Sequence, residues 1–129
     1  AAWQCQAMAQ KADHPLDCAA KSAMARAMTE LKSPTSCETM AEVRAGVDAV
    51  DADLVALLVR RFGYMDAAAR IKADRATVRD EGRKAEVLAN VARHAAAAGL
   101  DPERISAIWD VLVEHSIAHE LARWDALNG

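Results

Sequence analysis

The sequence is poor in the residues that favour β-sheets and tight turns. It holds one Tyr, one Phe and three Trp, with five Gly and three Pro, among 129 residues. Strands favour aromatic and β-branched side chains, whereas Ala, Leu, Met, Arg and Glu favour helices. Because the chain is rich in alanine and 53% hydrophobic, we expect an all-α protein.

The chain also lacks an excess of one charge and a long apolar run. It has 16 Lys and Arg against 19 Asp and Glu, for a net charge of −3. A mixture of this kind does not indicate nucleic-acid binding. No apolar stretch approaches the ~20 residues of a membrane span. We therefore expect a cytoplasmic protein that binds neither nucleic acid nor membrane.

Cysteines are few, and their number is odd. Cys5, Cys18 and Cys37 do not form the paired framework of a disulfide-rich domain. We expect free thiols, with a Cys5–Cys18 bridge as the alternative. Together with His14, these residues lack the close paired spacing of a zinc site. The sequence therefore predicts neither a metal nor a cofactor.

The chain divides into two segments of different pattern. Residues 1–37 mix Ala, Gln, Ser, Pro and Lys with weak periodicity, which predicts a weakly structured extension or short helices. Residues 38–129 carry clear helix signals. Thr39 and Glu42 have the spacing of a capping box, after which no proline or turn cluster interrupts the chain until about Asp74.

Two further helices follow the first with short connections. The second is predicted to begin near residues 78–80 and to end before Gly99, which favours a left-handed helix end. The third is predicted to begin after Asp101, with Pro102 at its first position. The first helix would span about 50 Å at 1.5 Å per residue. Since one small domain does not cover such a helix, the sequence predicts an obligate dimer.

Polar residues interrupt the apolar faces of the first and third helices. Arg61 and Lys72 fall where Leu or Val would be expected, and Ser116, His119 and Glu120 continue the apolar face of the third helix. Each alone fits a structural role, because long cations extend to water and serine bonds to its own helix. Together they predict a shared polar cavity, since an unpaired buried charge costs several kcal/mol. Because cations outnumber acids, we expect it to bind an anion.

Another charged pair lies at the start of the second helix. Asp80 and Arg83 are three residues apart, on the same side of one helical turn. The N–H groups of that first turn also favour anions. The spacing fits either an ordinary exposed ion pair or part of the anion site.

These segments together resemble the all-helical chorismate mutases over about residues 38–127. The similarity is carried, in order, by V43-R-A-G-V-D-A-V-D51, L57-L-V-R-R61, Lys72, V78-R-D-E-G-R83 and S116-I-A-H-E120. The resemblance implies an intertwined homodimer of three-helix subunits. It also implies rearrangement of chorismate to prephenate, towards the aromatic amino acids, in one pericyclic step without nucleophile or metal.

The resemblance implies catalytic roles for Arg61, Lys72 and Glu120. Arg61 would bind a substrate carboxylate, and Lys72 would contact a carboxylate and the ether oxygen. Glu120 would face the same ether oxygen, where many members of the family have glutamine. An ionised carboxylate cannot donate a hydrogen bond, so Glu120 would act protonated, a state that burial favours and Lys72 opposes.

The resemblance also implies four substrate-binding residues. Arg44 would enter the active site from the partner subunit, and Ser116 would bind a carboxylate. Asp80 and Arg83 would hold the hydroxyl end of the substrate and a carboxylate. Many members have, directly after the Arg83 position, a glutamate that contacts the substrate hydroxyl. This chain has Lys84 there, so the resemblance does not extend to that contact.

Two other functions stay open. S33-P-T-S-C37 and I117-A-H-E-L-A-R-W124 resemble the isochorismate-pyruvate lyases of salicylate and siderophore pathways, although residues 78–83 are more like the mutases, which we favour. A non-catalytic helical dimerisation module is the second alternative, against which the predicted anion cavity counts. His115 and His119 have the i,i+4 spacing of metal ligands, but we prefer a surface or core role for both.

Overall fold

The computed structural model describes residues 31–129, whose regular secondary structure is entirely helical, with no strand among these residues. The main elements are three α-helices, α1 over Met40–Ile71, α2 over Glu81–Ala97 and α3 over Pro102–Asn128. Two 3-10 turns lie at Pro34–Ser36 and Arg75–Thr77. The predicted all-α class and three-helix order are confirmed.

Part of the predicted N-terminal extension lies outside the described residues. The expectations for residues 1–30, including those for Cys5 and Cys18, therefore stay predictions, as does the boundary between residues 37 and 38. Cys37 forms no disulfide within the part of the chain that the structure describes.

Local capping signals fix the start of α1 and the end of α2. The Thr39 hydroxyl accepts the backbone N–H of Glu42 at 3.2 Å and donates to the Glu42 carboxylate at 3.0 Å. At the end of α2, Gly99 has a φ of 81°, which a residue without Cβ adopts at no steric cost. The Leu100 N–H then donates to the Ala95 carbonyl at 2.8 Å, which closes a Schellman motif.

The start of α3 also agrees with the sequence, whereas α1 ends earlier than predicted. Asp101 caps α3 by accepting the Glu103 N–H at 3.0 Å. Helix α1 ends at Ile71, three residues before the predicted end near Asp74. Asp74 instead caps the following 3-10 turn, because its side chain accepts the Ala76 N–H at 3.0 Å.

The chain forms two compact units, the first ending at Val59 and the second beginning at Arg60. In the first unit, α1 exposes large apolar side chains in a regular series. Val43, Val47, Val50, Leu54 and Leu57 are each between 38% and 56% exposed. They alternate in steps of four and three residues, the spacing of a coiled-coil seam.

The second unit holds the buried core. In it α2 packs against α3, and the side chains of Val78, Val113 and Ile117 form a buried cluster. Val87 and Trp124 pack at its edge. Within residues 31–129, none of the helices combines the length and apolar character needed to cross a membrane.

Candidate active site

A cavity of about 480 Å³ opens within the second unit, between the end of α1, the start of α2 and the middle of α3. Its charged and polar walls come from all three helices and the α1–α2 connection. They are formed by Arg61, Lys72, Thr77, Asp80, Arg83, Lys84, Ser116 and Glu120. Its apolar walls include the core residues Val78, Val113 and Ile117. Cations outnumber acids on the lining, four to two.

Six of the seven side chains predicted for the site line this cavity. The seventh, Arg44, lies in the first unit, where it is exposed. The shared cavity expected from the interrupted helix faces is therefore present. The role of each lining residue, and the entry of Arg44 from a partner subunit, stay predictions.

Arg61 and Ser116 form the first polar contact of the cavity. The Arg61 guanidinium donates to the Ser116 hydroxyl at 2.6 Å, and that hydroxyl donates to the Leu112 carbonyl at 2.7 Å. Ser116 is 3% exposed. Burial lowers the pKa of Arg61, and the charge of nearby Arg83 lowers it further. Arginine nevertheless stays charged in proteins, so this wall carries positive charge that an anion would stabilise.

Lys72 and Glu120 form the second polar contact. The Lys72 ammonium lies 2.7 Å from Oε1 of Glu120, which is only 4% exposed. That oxygen nevertheless has no well-directed hydrogen bond within residues 31–129. The attraction between opposite charges does not depend on that direction, so the contact is an ion pair. A buried polar atom without a directed partner is unusual, which marks Glu120 as a group able to bind a ligand atom.

The backbone of Lys72 is anchored to α3. Lys72 directly follows α1, and its carbonyl accepts the indole N–H of Trp124 at 3.0 Å. In the next residue of α3, Asp125 accepts two hydrogen bonds from Arg75, at 2.8 and 3.1 Å. The two contacts hold the start of the α1–α2 connection against α3. They therefore limit how far the Lys72 ammonium can move from Glu120.

Asp80 and Arg83 do not pair with each other's side chains. Asp80 is the N-cap of α2 and accepts the backbone N–H of Arg83 at 2.9 Å, whereas the Arg83 guanidinium contacts Glu86 at 2.7 Å. The ordinary i,i+3 ion pair is therefore wrong as an account of this spacing. Both side chains stand at the cavity and are largely exposed, within reach of a ligand.

An ion-pair network beside this segment was not predicted from the sequence. Arg79 and Lys84 both contact Glu114 of α3, and Lys84 also contacts Asp110. The available signal was the i,i+4 spacing of the two acids on α3, which places them on one face. That spacing does not reveal which basic residues of α2 and of the preceding connection lie opposite.

Of the two histidines considered as metal ligands, His115 is exposed and His119 contacts residues of α1. His119 lies 2.7 Å from an oxygen of Asp66, and its ring packs edge-on against Phe62 with centroids 5.0 Å apart. Among residues 31–129, no three His, Cys, Asp or Glu side chains come close enough together to hold a metal ion. His119 therefore joins α1 to α3.

Comparison with known proteins places these features in a family. A family model described as chorismate mutase type II matches residues 43–121. The chain is also 32% identical over 99 residues to an isochorismate pyruvate lyase of Pseudomonas aeruginosa. That similarity covers 77% of this chain and 98% of the Pseudomonas protein.

Proposed function

Since the chain belongs to the type II chorismate mutase family, we propose that it rearranges chorismate to prephenate. The observation that supports this activity best is the cation-rich cavity, whose charged lining comes from separate helices of one compact unit. Ser116 is engaged by the Leu112 carbonyl and by Arg61, so it is not placed as a nucleophile next to a base. Such a site suits a reaction catalysed by positioning and electrostatics.

The proposed reaction moves electrons around a ring of six atoms. The ether C–O bond of chorismate breaks while the methylene carbon of the enolpyruvyl group bonds to the ring. No proton is transferred, and atoms and charge balance within the one molecule. The enzyme therefore has two tasks, to hold the side chain over the ring and to stabilise negative charge on the ether oxygen.

The cavity residues divide between these tasks. Arg61, aided by Ser116, binds a carboxylate of the dianion, and Arg83 binds at the opposite wall. Lys72 and Glu120 face the ether oxygen, where negative charge develops. On substrate binding, the Lys72 ammonium donates to the ether oxygen as well as to Glu120, and Glu120, once it has taken up a proton from water, donates a second hydrogen bond there. Asp80 accepts a hydrogen bond from the substrate hydroxyl through the oxygen that does not cap α2.

We further propose that the active protein is a homodimer in which the partner's Arg44 completes each site. The exposed stripe of α1 supports this, because Val47, Val50, Leu54 and the two further residues Val43 and Leu57 follow a coiled-coil spacing. A second copy of the same stripe would bury these side chains. Such burial stabilises by roughly 25 cal/mol for each Å² of apolar surface removed from water.

Isochorismate pyruvate lyase is the second candidate, favoured by the 32% identity to the Pseudomonas protein. In that reaction the same ether bond breaks, and a hydrogen moves from the ring to the methylene carbon, which releases pyruvate and leaves salicylate. The two reactions need the same cations around a dianion. They differ in where the ring hydroxyl of the substrate lies, and the sequence of residues 78–83, which is more like that of the mutases, favours the mutase.

Product analysis with each substrate distinguishes the candidates. We expect the protein to convert chorismate to prephenate with a higher kcat/KM than it converts isochorismate to salicylate and pyruvate. Chromatography of the products, with a no-enzyme control for spontaneous rearrangement, measures both. A higher kcat/KM for isochorismate would assign the lyase. If neither substrate gives a product and a dicarboxylate does not raise the melting temperature, the non-catalytic dimerisation module is the function that remains.

Replacement of Trp124 tests the anchoring of Lys72. Trp124→Phe removes the indole N–H and keeps an aromatic ring, so we expect kcat to fall about five- to tenfold, as the loss of one hydrogen bond of about 1 kcal/mol implies. KM should change less, because Lys72 acts mainly at the ether oxygen. Trp109→Phe, on the same helix and outside the cavity, is the matched control. An equal loss of kcat in both variants would show that the hydrogen bond to Lys72 is not the cause.

A further inference from the structure

A network of charged side chains joins the α1–α2 connection and the first turn of α2 to α3. Arg79 donates to both carboxylate oxygens of Glu114, at 3.1 and 2.6 Å. Lys84 donates to Glu114 at 2.6 Å and lies 2.9 Å from a carboxylate oxygen of Asp110. Glu114 therefore holds two cations that are five positions apart in the sequence.

This network differs from an ordinary surface ion pair. The Lys84 side chain is only 18% exposed, and the arginine contact is bidentate, the stronger geometry for a carboxylate. Hydrogen bonds from Arg79 and then Lys84 lower the pKa of Glu114 from 4.5 to about 2. Hydrogen bonds to Glu114 and then Asp110 raise the pKa of Lys84. Glu114 and Lys84 are thus ionised at every pH at which enzymes are normally assayed.

The sign of the pH dependence follows from the lowered pKa of Glu114. A carboxyl group whose pKa is lower in the folded than in the unfolded protein stabilises the fold above its ordinary value. That contribution is complete above about pH 4.5 and is lost as pH falls towards about 2. Variation of pH between 6 and 9 therefore leaves the network intact.

The network encloses the segment that carries two proposed substrate contacts. Arg79 and Lys84 stand immediately before Asp80 and immediately after Arg83. Inside them, Asp80 caps α2 by accepting the Arg83 N–H. Both ends of the segment are thus held against α3, while the side chains of Asp80 and Arg83 remain at the cavity. The Lys84 ammonium is held by two carboxylates that do not line that cavity.

We propose that Glu114 is a positioning residue that fixes the Asp80–Arg83 segment through Arg79 and Lys84, and that Lys84 itself does not bind substrate. Lys84 thereby acts as a tether between α2 and α3 in place of the substrate contact that a glutamate makes at this position in many related mutases. This proposal rests on the proposed function, because the segment matters to catalysis only when the cavity binds a substrate with a hydroxyl and a carboxylate.

Three variants of the full-length protein test the tether, Glu114→Gln, Lys84→Met and the double variant. Each single change should raise KM for chorismate about tenfold, within the range of coupling between neighbouring residues, and leave kcat within about twofold. Misplaced binding contacts raise KM in this way, whereas loss of a transition-state contact lowers kcat. The double variant should be no worse than the worse single variant, because both residues act through one tether. Glu103→Gln removes one acid from the first turn of α3, the helix that also carries Glu114, and is the control for the loss of one negative charge.

Hydrogen exchange of the Arg83 amide gives a readout that does not require activity. That amide is protected by the Asp80 cap, so it should exchange faster in both single variants and at the wild-type rate in Glu103→Gln. If the wild type turns over neither substrate, the proposed function fails, and the exchange rates alone decide on the tether. If Glu114→Gln does not fold, Arg79→Met removes the exposed half of the network and replaces it in the same measurements.

Two outcomes overturn the proposal. The tether is wrong if KM and the Arg83 exchange rate are unchanged in Glu114→Gln or, failing that variant, in Arg79→Met. The shared tether is wrong if the two single effects on KM multiply in the double variant, because Lys84 would then act on KM independently of Glu114. Equal changes in Glu103→Gln would also contradict it, since they would reflect net charge and not the network.

Discussion

Arg61→Ala and Arg44→Ala should each lower kcat/KM about 10³-fold, and a mixture of the two inactive proteins should regain activity. Removal of a single donor that stabilises developing charge typically costs about 10²–10³ in rate, and Arg61 also helps to bind the dianion. Its loss leaves Ser116 without the 2.6 Å contact from the guanidinium. Arg44 lies in the first unit, and we expect it to act in the cavity of a partner subunit.

The recovery expected from mixing can be calculated. If subunits exchange at random in an equal mixture, half of the dimers contain one subunit of each kind. In such a dimer one site has both arginines and the other has neither. About a quarter of all sites should therefore be active, half of the dimers times one site in two. Turnover of chorismate, measured before and after exchange, tests this.

The experiment needs two controls. Exchange must be demonstrated, for example by mass spectrometry of subunits that differ in isotope content. Arg70→Ala removes an exposed arginine from the last turn of the same helix, outside the cavity, and should leave kcat/KM near the wild-type value. If exchange is complete and no activity returns, each site takes both arginines from one chain, and the composite site is wrong.

The helices could be predicted because their ends depend on neighbours in the sequence. Thr39 and Glu42 contact each other across three residues, and Asp101 and Gly99 act on the residues beside them. Such signals need no knowledge of the rest of the fold. Helix α1 ends three residues before the predicted position. Asp74 could either continue the helix or cap the following 3-10 turn, and in the structure it caps the turn.

The cavity could be predicted because helical periodicity brings its residues together. Arg61 and Lys72 interrupt one apolar face, and Ser116 and Glu120 interrupt another. Two apolar faces that pack together also bring their polar interruptions together. Helical periodicity indicates a shared cavity but no distances within it. It therefore did not predict that Lys72 pairs with Glu120 at 2.7 Å, although it named both.

The tether on Glu114 could not be predicted, because it depends on how α2 lies against α3. A shift of one helical turn, about 5.4 Å, would take Lys84 away from Asp110 and Glu114. The sequence indicates that each helix has an apolar face, but many registers bury two such faces equally well. The role of Asp80 could not be predicted for a similar reason. Whether its side chain caps α2 or pairs with the Arg83 side chain depends on the residue at which α2 begins.

Glu120→Gln should remove most of the pH dependence of catalysis. A protonated Glu120 donates a hydrogen bond to the ether oxygen, whereas an ionised Glu120 offers no donor and repels the charge that develops there. Activity of the wild type should therefore fall by about 10²–10³ as pH rises and Glu120 loses its proton. Glutamine has nearly the same shape and donates at every pH, so the variant should keep its kcat/KM at high pH.

The surroundings of Glu120 make this test specific. It is 4% exposed and lies 2.7 Å from the Lys72 ammonium, so a change of its side chain acts directly on the group proposed to face the ether oxygen. Profiles of kcat/KM against pH, for the wild type, Glu120→Gln and the surface control Glu103→Gln, measure the effect. If Glu120→Gln keeps the wild-type profile, Glu120 is not the group that titrates and does not donate to the ether oxygen.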